Sequence, residues 1–210
     1  SVAGGVALSA LSRPILSDRR AAYQVPAGPN DKIVLGVIGV GLQGMSRLRE
    51  FLKHPDTRIA AVSDVDRVHL DRAVAEVEKI PGQKPKAFGD FRRVLEGREI
   101  DAVLVITPDH WHAIPTVRAF EAGKDVFVEK PLSYSVAEGR MMADASLRYK
   151  RVSQMGNHIH NDHPNYRRVV EQVQSGALGR ITRVHCWKTS PTQSGPPTTN
   201  PASLPATLDY

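Results

Sequence analysis

Residues 33–45 read IVLGVIGVGLQGM, and this stretch decides the fold of the chain. A run of apolar residues, which predicts a buried strand, leads directly into glycines at positions 39, 41 and 44. In such a turn Gly39 permits the tight bend, Gly41 lets the main chain approach a pyrophosphate, and Gly44 lets the next helix pack closely. The stretch therefore predicts a dinucleotide-binding strand, turn and helix. A strand–turn–helix of purely structural role is the alternative.

Two further features of this segment favour a bound dinucleotide. The helix that opens at Leu42 and Gln43 offers unpaired N–H groups and the positive end of its dipole to phosphates. Asp64, twenty positions after Gly44, follows a second apolar stretch and can accept hydrogen bonds from the adenosine ribose hydroxyls. Its negative charge would repel a 2′-phosphate and favours NAD over NADP, although the nearby Arg67 could offset that charge.

Apolar stretches alternate with helical patterns along residues 31–155, which is typical of a doubly wound parallel sheet, the Rossmann type of α/β fold. The run at 102–106 is continuously apolar, as expected for a strand buried on both faces. We predict strands at 33–38, 59–62, 87–88, 102–106, 125–128 and 152–155. Helices are predicted at 42–54, 66–79 and 135–149, with shorter ones after Asp90 and after His112.

The pattern changes beyond residue 156. An amphipathic helix is predicted at 164–175 and a strand at 181–187, followed from residue 190 by a tail rich in Pro, Thr and Ser. A helix, a strand and a loop of this composition cannot bury a core of their own. We therefore interpret residues 156–210 as the beginning of a second, α+β domain that is incomplete in this chain.

The first 30 residues are interpreted as a leader and linker. Residues 1–11 are small and apolar, too few to span a bilayer, and resemble the hydrophobic core of a secretion signal. Because an initiator Met and a charged leader are missing, we expect a longer precursor that is exported to the periplasm, with a twin-arginine type of leader. An ordinary N-terminal arm on a cytoplasmic protein is the alternative.

The composition argues against nucleic acid as a partner. The net charge is +6 and the pI is about 9.6, but the basic residues are scattered among acids, and no basic run carries aromatic residues. The hydrophobic content of 41% is that of an ordinary globular protein. Cys186 is the only cysteine, so the chain forms no internal disulfide, and we expect this side chain to be packed in an apolar strand.

Side chains that follow the predicted strands should meet in one crevice, because ligands bind beyond the carboxyl ends of parallel strands. These ends carry residues 107–112, which read TPDHWH, and the pair Glu129-Lys130. An ionised pair at the end of an apolar strand is costly without a role. Lys130 beside a nicotinamide could act as acid or base toward a substrate hydroxyl. A surface lysine paired with Glu129 is the alternative.

Taken together, these motifs resemble the Gfo/Idh/MocA family of oxidoreductases over about residues 31–188. The resemblance rests on the glycine turn, Asp64, Thr107-Pro108 with His112, Glu129-Lys130-Pro131, and the stretches 165–168 and 176–179. It implies an NAD(P)-dependent oxidoreductase that transfers a hydride between nicotinamide and a sugar- or polyol-like substrate. Two alternatives remain: a relative that uses retained NAD to cleave glycosidic bonds by transient oxidation, and a non-catalytic nucleotide-binding fragment.

The resemblance also implies roles for individual residues. Lys130 is the implied catalytic residue, and Asn157 and His158 join it as contacts of a carbohydrate-like substrate. Thr107, Pro108 and His112 are implied to line the nicotinamide side. The cofactor contacts as a whole are Gly39, Gly41, Leu42, Gln43, Gly44, Asp64, Thr107, Pro108, His112, Glu129 and Lys130. Because the family assembles through its second domain, a homo-oligomer is expected of the full-length protein.

One cluster of possible metal ligands allows several interpretations. Residues His158, His160, Asp162 and His163 have the side chains of a metal site. The same segment could instead contact substrate, cap the helix that follows or lie at the surface. We predict that no metal is bound there.

Overall fold

The computed structural model of the protein describes residues 32–157, 164–187 and 207–208. Its centre is a six-stranded sheet in the order β3-β2-β1-β4-β5-β6, with every neighbouring pair of strands parallel. The prediction of a doubly wound parallel sheet is therefore confirmed. The strand order reverses between β1 and β4, and ligands of such sheets bind where the chains leaving these two strands diverge.

The helices and strands follow the predicted order closely. The strands are β1 (Ile33–Ile38), β2 (Thr57–Ser63), β3 (Lys86–Phe88), β4 (Ala102–Val105), β5 (Asp125–Glu129) and β6 (Ser153–Gly156). The helices are α1 (Leu42–Leu52), α2 (Arg67–Glu78), α3 (Arg92–Leu95), a 3₁₀ turn (Asp109–Trp111), α4 (Ala113–Glu121), α5 (Val136–Tyr149) and α6 (Pro164–Gln174). β2 begins two residues earlier than predicted because Thr57 and Arg58 pair with the start of β1.

The core consists of two apolar layers, one on each face of the sheet. Val103 and Val105 belong to the layer beneath α3, α4 and α5, whereas Leu104 between them belongs to the layer beneath α1 and α2. Side chains of a strand point alternately to opposite faces, so a strand covered on both faces must be apolar throughout. Burial on both faces explains why the run at 102–106 is apolar throughout. The same packing stabilises the sheet whose carboxyl edge forms the crevice.

An ion pair connects the two helices that border the crevice on one side. Arg49 of α1 and Glu76 of α2 lie 3.1 Å apart, and Lys79 lies 2.9 Å from the same carboxylate. Hydrogen bonds from the Arg49 and Lys79 side chains lower the pKa of Glu76 to about 2. The carboxylate is thus ionised at neutral pH and forms an ion pair between α1 and α2.

Two predictions for the region beyond residue 156 are wrong. Residues 181–187 form no strand, since no described segment lies alongside them to complete the hydrogen-bonded ladder that a strand requires. Their apolar side chains stay exposed, and Cys186 is exposed rather than packed. The helix predicted at 164–175 is confirmed as α6. No helix in the described ranges is long and apolar enough to cross a membrane.

Several predictions concern residues outside the described ranges. These are the leader and linker within residues 1–31, the histidine cluster from His158 to His163, and most of the tail after residue 187. Within the ranges that the structure covers, no group of three or more His, Cys, Asp or Glu side chains is placed to hold a metal ion.

Candidate functional site

The glycine turn joins the end of β1 to the start of α1. Gly39 has a positive φ of 86°, and a Cβ there would lie 2.6 Å from the carbonyl oxygen of Ile106 at the end of β4. A Cβ on Gly44 would overlap the carbonyl oxygen of Gly39 itself. Gly44 therefore permits close packing, as predicted, and the surface that α1 approaches there is the glycine turn itself. Both glycines are required by the fold alone.

Gly41 differs from the other two glycines of the turn. Its φ is negative, and a Cβ there would meet only the ring of His69, at 3.8 Å. α1 begins at this residue with no capping side chain and no acidic residue in its first turn. The N–H groups of Leu42, Gln43 and Gly44 belong to that first turn, where a helix offers donors without intrahelical partners. The open space above Gly41 and these donors fit a phosphate group.

Asp64 follows β2 and joins the glycine turn to the start of α2. Its Oδ2 accepts a hydrogen bond from Val40 N at 2.7 Å, and its Oδ1 accepts one from Asp66 N at 2.9 Å. The side chain is only 11% exposed. Each carboxylate oxygen has a second lone pair, so Asp64 can shape the turn and also receive the hydroxyls of a ribose.

A segment near the carboxyl end of the chain borders the same place, which the sequence patterns did not indicate. Thr207 O accepts a hydrogen bond from Arg67 N at 2.9 Å, and Leu208 forms an antiparallel bridge with Asp66. Residues 207–208 therefore lie beside the turn that carries Asp64. The tail has no apolar periodicity, and main-chain contacts of this kind leave no mark on side-chain types.

Glu129 ends β5 and is buried, with its side chain 3% exposed. Its Oε1 lies 3.0 Å from Arg47 Nε of α1, and its Oε2 accepts a hydrogen bond from the Lys130 N–H at 2.7 Å. The Gln43 amide can donate to Glu129 Oε1 (3.3 Å) in one orientation, or accept from the Arg47 guanidinium (3.2 Å) in the other. The carboxylate thus links the first two turns of α1 to the main chain of Lys130.

This arrangement bears on one detail of the surface-lysine interpretation. Among the described residues Glu129 forms its ion pair with Arg47 and not with the Lys130 side chain, while a catalytic role of Lys130 stays a prediction. Arg47 was not among the predicted site residues. It lies one helical turn beyond Gln43, and that spacing places both side chains on the same face of α1.

Lys130 lies at the crevice with its side chain exposed, and its amino group has no hydrogen bond or ion pair to any other described residue. Glu129 pairs with Gly156 in the sheet, so Lys130 and Asn157 leave neighbouring strands side by side. Asn157 is also exposed. These two predicted substrate contacts are therefore brought together, whereas the third, His158, lies outside the described residues.

His112 is buried and joins two segments of the main chain. The side chain is 1% exposed, with Nδ1 at 2.6 Å from Pro131 O and Nε2 at 2.9 Å from Thr107 O. Both ring nitrogens thus contact main-chain oxygens and join the loop after β4 to the segment after β5. Thr107 is partly buried and Pro108 is exposed. A direct contact of these three residues with nicotinamide stays a prediction.

The sheet order, the turn that only glycine can form and the carboxylate after β2 define a Rossmann protein of the dinucleotide-binding class. Residues 33–157 match GFO_IDH_MocA, an oxidoreductase family with an NAD-binding Rossmann fold. The chain belongs to this family, which confirms the resemblance drawn from its motifs.

Curated relatives are similar over most of this chain. A glycosyl hydrolase family 109 protein of Shewanella sp. (strain W3-18-1) is 31% identical over 159 residues, which are 72% of this chain and 34% of the relative. An alpha-N-acetylgalactosaminidase of Shewanella oneidensis is 28% identical over 199 residues, 85% of this chain and 42% of the relative. The chain therefore spans less than half the length of these two relatives.

Solved structures share the fold and its cofactor class. The scyllo-inositol dehydrogenase of Lactobacillus casei, with bound NAD(H) and scyllo-inositol, has a TM-score of 0.64 at 25% identity and covers 72% of this chain and 43% of its own. A variant of a 3-ketoreductase from Actinomadura kijaniata, in complex with TDP-benzene and NADP, has a TM-score of 0.63 at 26% identity, with coverages of 71% and 44%. Since these neighbours bind either dinucleotide, the fold alone does not select NAD or NADP.

Proposed function

We propose that the full-length protein transfers a hydride between NAD and a carbinol carbon of a sugar- or polyol-like substrate. The observation that carries this proposal is the position of Lys130, an exposed lysine fixed through its main chain at the end of β5 and unpaired within the described part of the chain. A lysine held at the crevice without a carboxylate partner is available to exchange a proton with substrate.

The residues around the glycine turn fit the cofactor. The first-turn N–H groups of α1 would hold the pyrophosphate above Gly41, and Asp64 would receive the adenosine ribose hydroxyls. A carboxylate at that place disfavours a 2′-phosphate, and this is the reason for proposing NAD rather than NADP. Thr107 and Pro108 border the other half of the crevice, where the nicotinamide would lie.

Proton and hydride leave the substrate by separate routes. When bound, the nicotinamide supplies the acceptor for the hydride of the carbinol C–H bond. The Lys130 amino group, in its neutral form, takes the proton of the carbinol O–H, so the carbinol becomes a carbonyl. In the reverse direction the ammonium returns that proton to the oxygen. Asn157 beside Lys130 would orient the substrate through its amide.

A second function is favoured by the names of the curated relatives, a glycosyl hydrolase family 109 protein and an alpha-N-acetylgalactosaminidase. In that case the same oxidation would be transient. A carbonyl formed on the sugar ring would acidify the neighbouring C–H bond and permit loss of the glycosidic substituent as an alcohol. Addition of water to the resulting carbon–carbon double bond and return of the hydride to the carbonyl would then give the free sugar. Lys130 would have the same proton-transfer role in both functions, which differ in whether reduced cofactor accumulates and whether a glycosidic bond is cleaved.

Product analysis of the full-length protein separates the two functions. The protein would be incubated with NAD and either free inositols or a nitrophenyl α-N-acetylgalactosaminide, and NADH and nitrophenol would be measured together. Stoichiometric NADH with a ketone product supports the dehydrogenase. Nitrophenol without net NADH supports the hydrolase. If a panel of sugars, polyols and glycosides gives neither product while NAD binds, hydride transfer on carbohydrates is refuted and a nucleotide-binding role remains.

The space above Gly41 gives a separate prediction for cofactor binding. Gly41→Ala should raise the Kd for NAD by about tenfold or more, because the added methyl occupies the approach of the pyrophosphate. The unfolding midpoint should change little, since a Cβ would meet only His69 at an ordinary 3.8 Å. Calorimetric titration and thermal unfolding measure the two effects.

Gly44→Ala is the matched comparison for Gly41→Ala. Its Cβ would overlap Gly39 O, so this variant should lower the unfolding midpoint as well as binding. Unchanged NAD affinity in Gly41→Ala would show that the pyrophosphate does not pass over this turn.

A further inference from the structure

We infer that His69 is a second determinant of cofactor choice, acting beside Asp64 at the adenosine ribose. The inference rests on the proposed cofactor site and extends it to a residue that neither the motifs nor the family resemblance singled out. His69 is the third residue of α2, and its ring is 38% exposed, so one side of it faces open space.

The ring of His69 bridges the two features that should hold the ribose. Its Nδ1 lies 3.7 Å from Asp64 Oδ1, and its Nε2 lies 4.0 Å from Asp66 Oδ2. Its Cε1 and Nδ1 are each 3.8 Å from the place of a Cβ on Gly41. A ribose that hydrogen-bonds to Asp64 while its phosphate crosses Gly41 must therefore lie against this imidazole.

Asp64 alone offers limited discrimination against a 2′-phosphate. Both of its oxygens already accept main-chain N–H groups, from Val40 and Asp66, and these bonds disperse part of the negative charge. The electrostatic potential that a 2′-phosphate would meet here therefore depends strongly on the charge of the His69 imidazole as well. A neutral ring leaves the carboxylates of Asp64 and Asp66 in control, whereas a charged ring offsets them and offers an N–H donor to a phosphate.

The other elements around His69 bring few charges that could replace it. On α2, the Arg67 side chain is 83% exposed and its Nε is 3.9 Å from Asp71 Oδ2, while the Arg72 guanidinium is 3.5 Å from Val40 O. The glycine turn and residues 207–208 present main chain at this place. Arg67, which the sequence suggested could offset the charge of Asp64, instead pairs with Asp71. Among the described residues, His69 is the basic side chain that lies within 4 Å of the Asp64 carboxylate.

The test is the ratio of the Kd values for NADP and NAD, measured by calorimetry on the full-length protein at about pH 8 and about pH 5.5, a range over which histidine changes charge. The wild-type ratio should fall by about tenfold toward the lower pH. His69→Asn, which cannot become charged, should show a much smaller fall. The 2′-phosphate also titrates in this range, but it does so equally with both proteins, so the difference between them reports His69.

Two further variants sharpen the test. His69→Arg carries a permanent charge and should favour NADP at both pH values relative to wild type. His54→Asn, which alters an exposed histidine after α1, should behave as wild type. If His69→Asn and wild type show the same pH dependence, and His69→Arg leaves the ratio unchanged, the inference is overturned while the cofactor site stands. If wild type binds neither dinucleotide, the proposed function fails and the inference fails with it.

Discussion

Glu129→Ala should lower the free energy of unfolding by about 3–5 kcal/mol, as expected when one partner of a buried ion pair is removed. The substitution removes the carboxylate that lies 3.0 Å from Arg47 Nε, and the Arg47 side chain is only 19% exposed. It also removes the acceptor of the Lys130 N–H, an acceptor at 2.7 Å. Urea unfolding followed by circular dichroism measures the effect.

Glu50→Gln is the matched control for this substitution. It removes a carboxylate from the same helix as Arg47, but the pair of Glu50 with Lys53 is exposed at the surface. Screened pairs of this kind contribute little to stability, so the control should unfold at nearly the wild-type urea concentration. If Glu129→Ala were no less stable than Glu50→Gln, the buried carboxylate would not be holding α1 to β5.

A double substitution separates the ion pair from the packing around it. Arg47→Met with Glu129→Met replaces both charges by apolar side chains of similar length, so no charge is left buried alone. The double variant should be more stable than Arg47→Met alone, because that single change removes the guanidinium that lies 3.0 Å from a carboxylate only 3% exposed. The measured coupling energy would show how strongly the crevice depends on this link.

The parts of the site that the sequence predicted are local. The apolar run of β1, the glycines at 39 and 44 and the carboxylate of Asp64 each act within a few residues of a strand end, and their spacing follows from the strand–turn–helix unit itself. The crevice could be assembled from them because parallel strands place all their carboxyl ends on one edge. Residue type and position in the sequence were therefore enough to predict the glycine turn and the crevice.

The rest of the site depends on contacts between distant segments. Arg47 and Glu129 form an ion pair although 82 positions separate them in the sequence. An arginine that pairs with a buried carboxylate cannot be distinguished by its sequence pattern from one that lies on the surface. His112 was expected at the nicotinamide because of its motif. Its contacts with two main-chain oxygens, Thr107 O and Pro131 O, exist only once β4 and β5 are paired.

The error at residues 181–187 has a different origin. Apolar and β-branched side chains satisfy the local preference for a strand, but a strand exists only when a neighbour completes its hydrogen bonds. No described segment provides that neighbour, so Ile181, Val184 and Trp187 remain exposed. The sequence of residues 181–187 showed a preference for the extended conformation, but it could not show whether a neighbouring strand was present.

Three links converge on the main chain around Lys130 and explain how an exposed lysine can be placed accurately. Glu129 Oε2 holds its N–H, the Glu129–Gly156 pairing fixes the strand end, and His112 holds the carbonyl of the next residue, Pro131. The side chain carries none of these contacts and stays free to approach substrate. Rigid main chain with a mobile amino group suits a residue that exchanges protons.

Lys130→Met should reduce turnover of the full-length protein by about 10²–10⁴-fold, the usual contribution of a positioned acid or base. Binding of NAD⁺ should be retained or slightly tightened, because the variant removes a cation from beside a cationic ring. The unfolding midpoint should stay close to that of wild type, since the amino group has no partner among the described residues. Steady-state rates, calorimetric titration and thermal unfolding measure the three effects.

Lys84→Met is the control. Lys84 is also exposed, but it precedes β3 and so lies at the amino ends of the strands, whereas the crevice lies at their carboxyl ends. It should keep full activity. The same loss in Lys130→Met is expected whether the substrate is oxidised outright or only transiently, because both routes need the proton of the carbinol hydroxyl to leave. A Lys130→Met protein that binds NAD and turns over at the wild-type rate would remove Lys130 from the chemistry and assign the proton to another group.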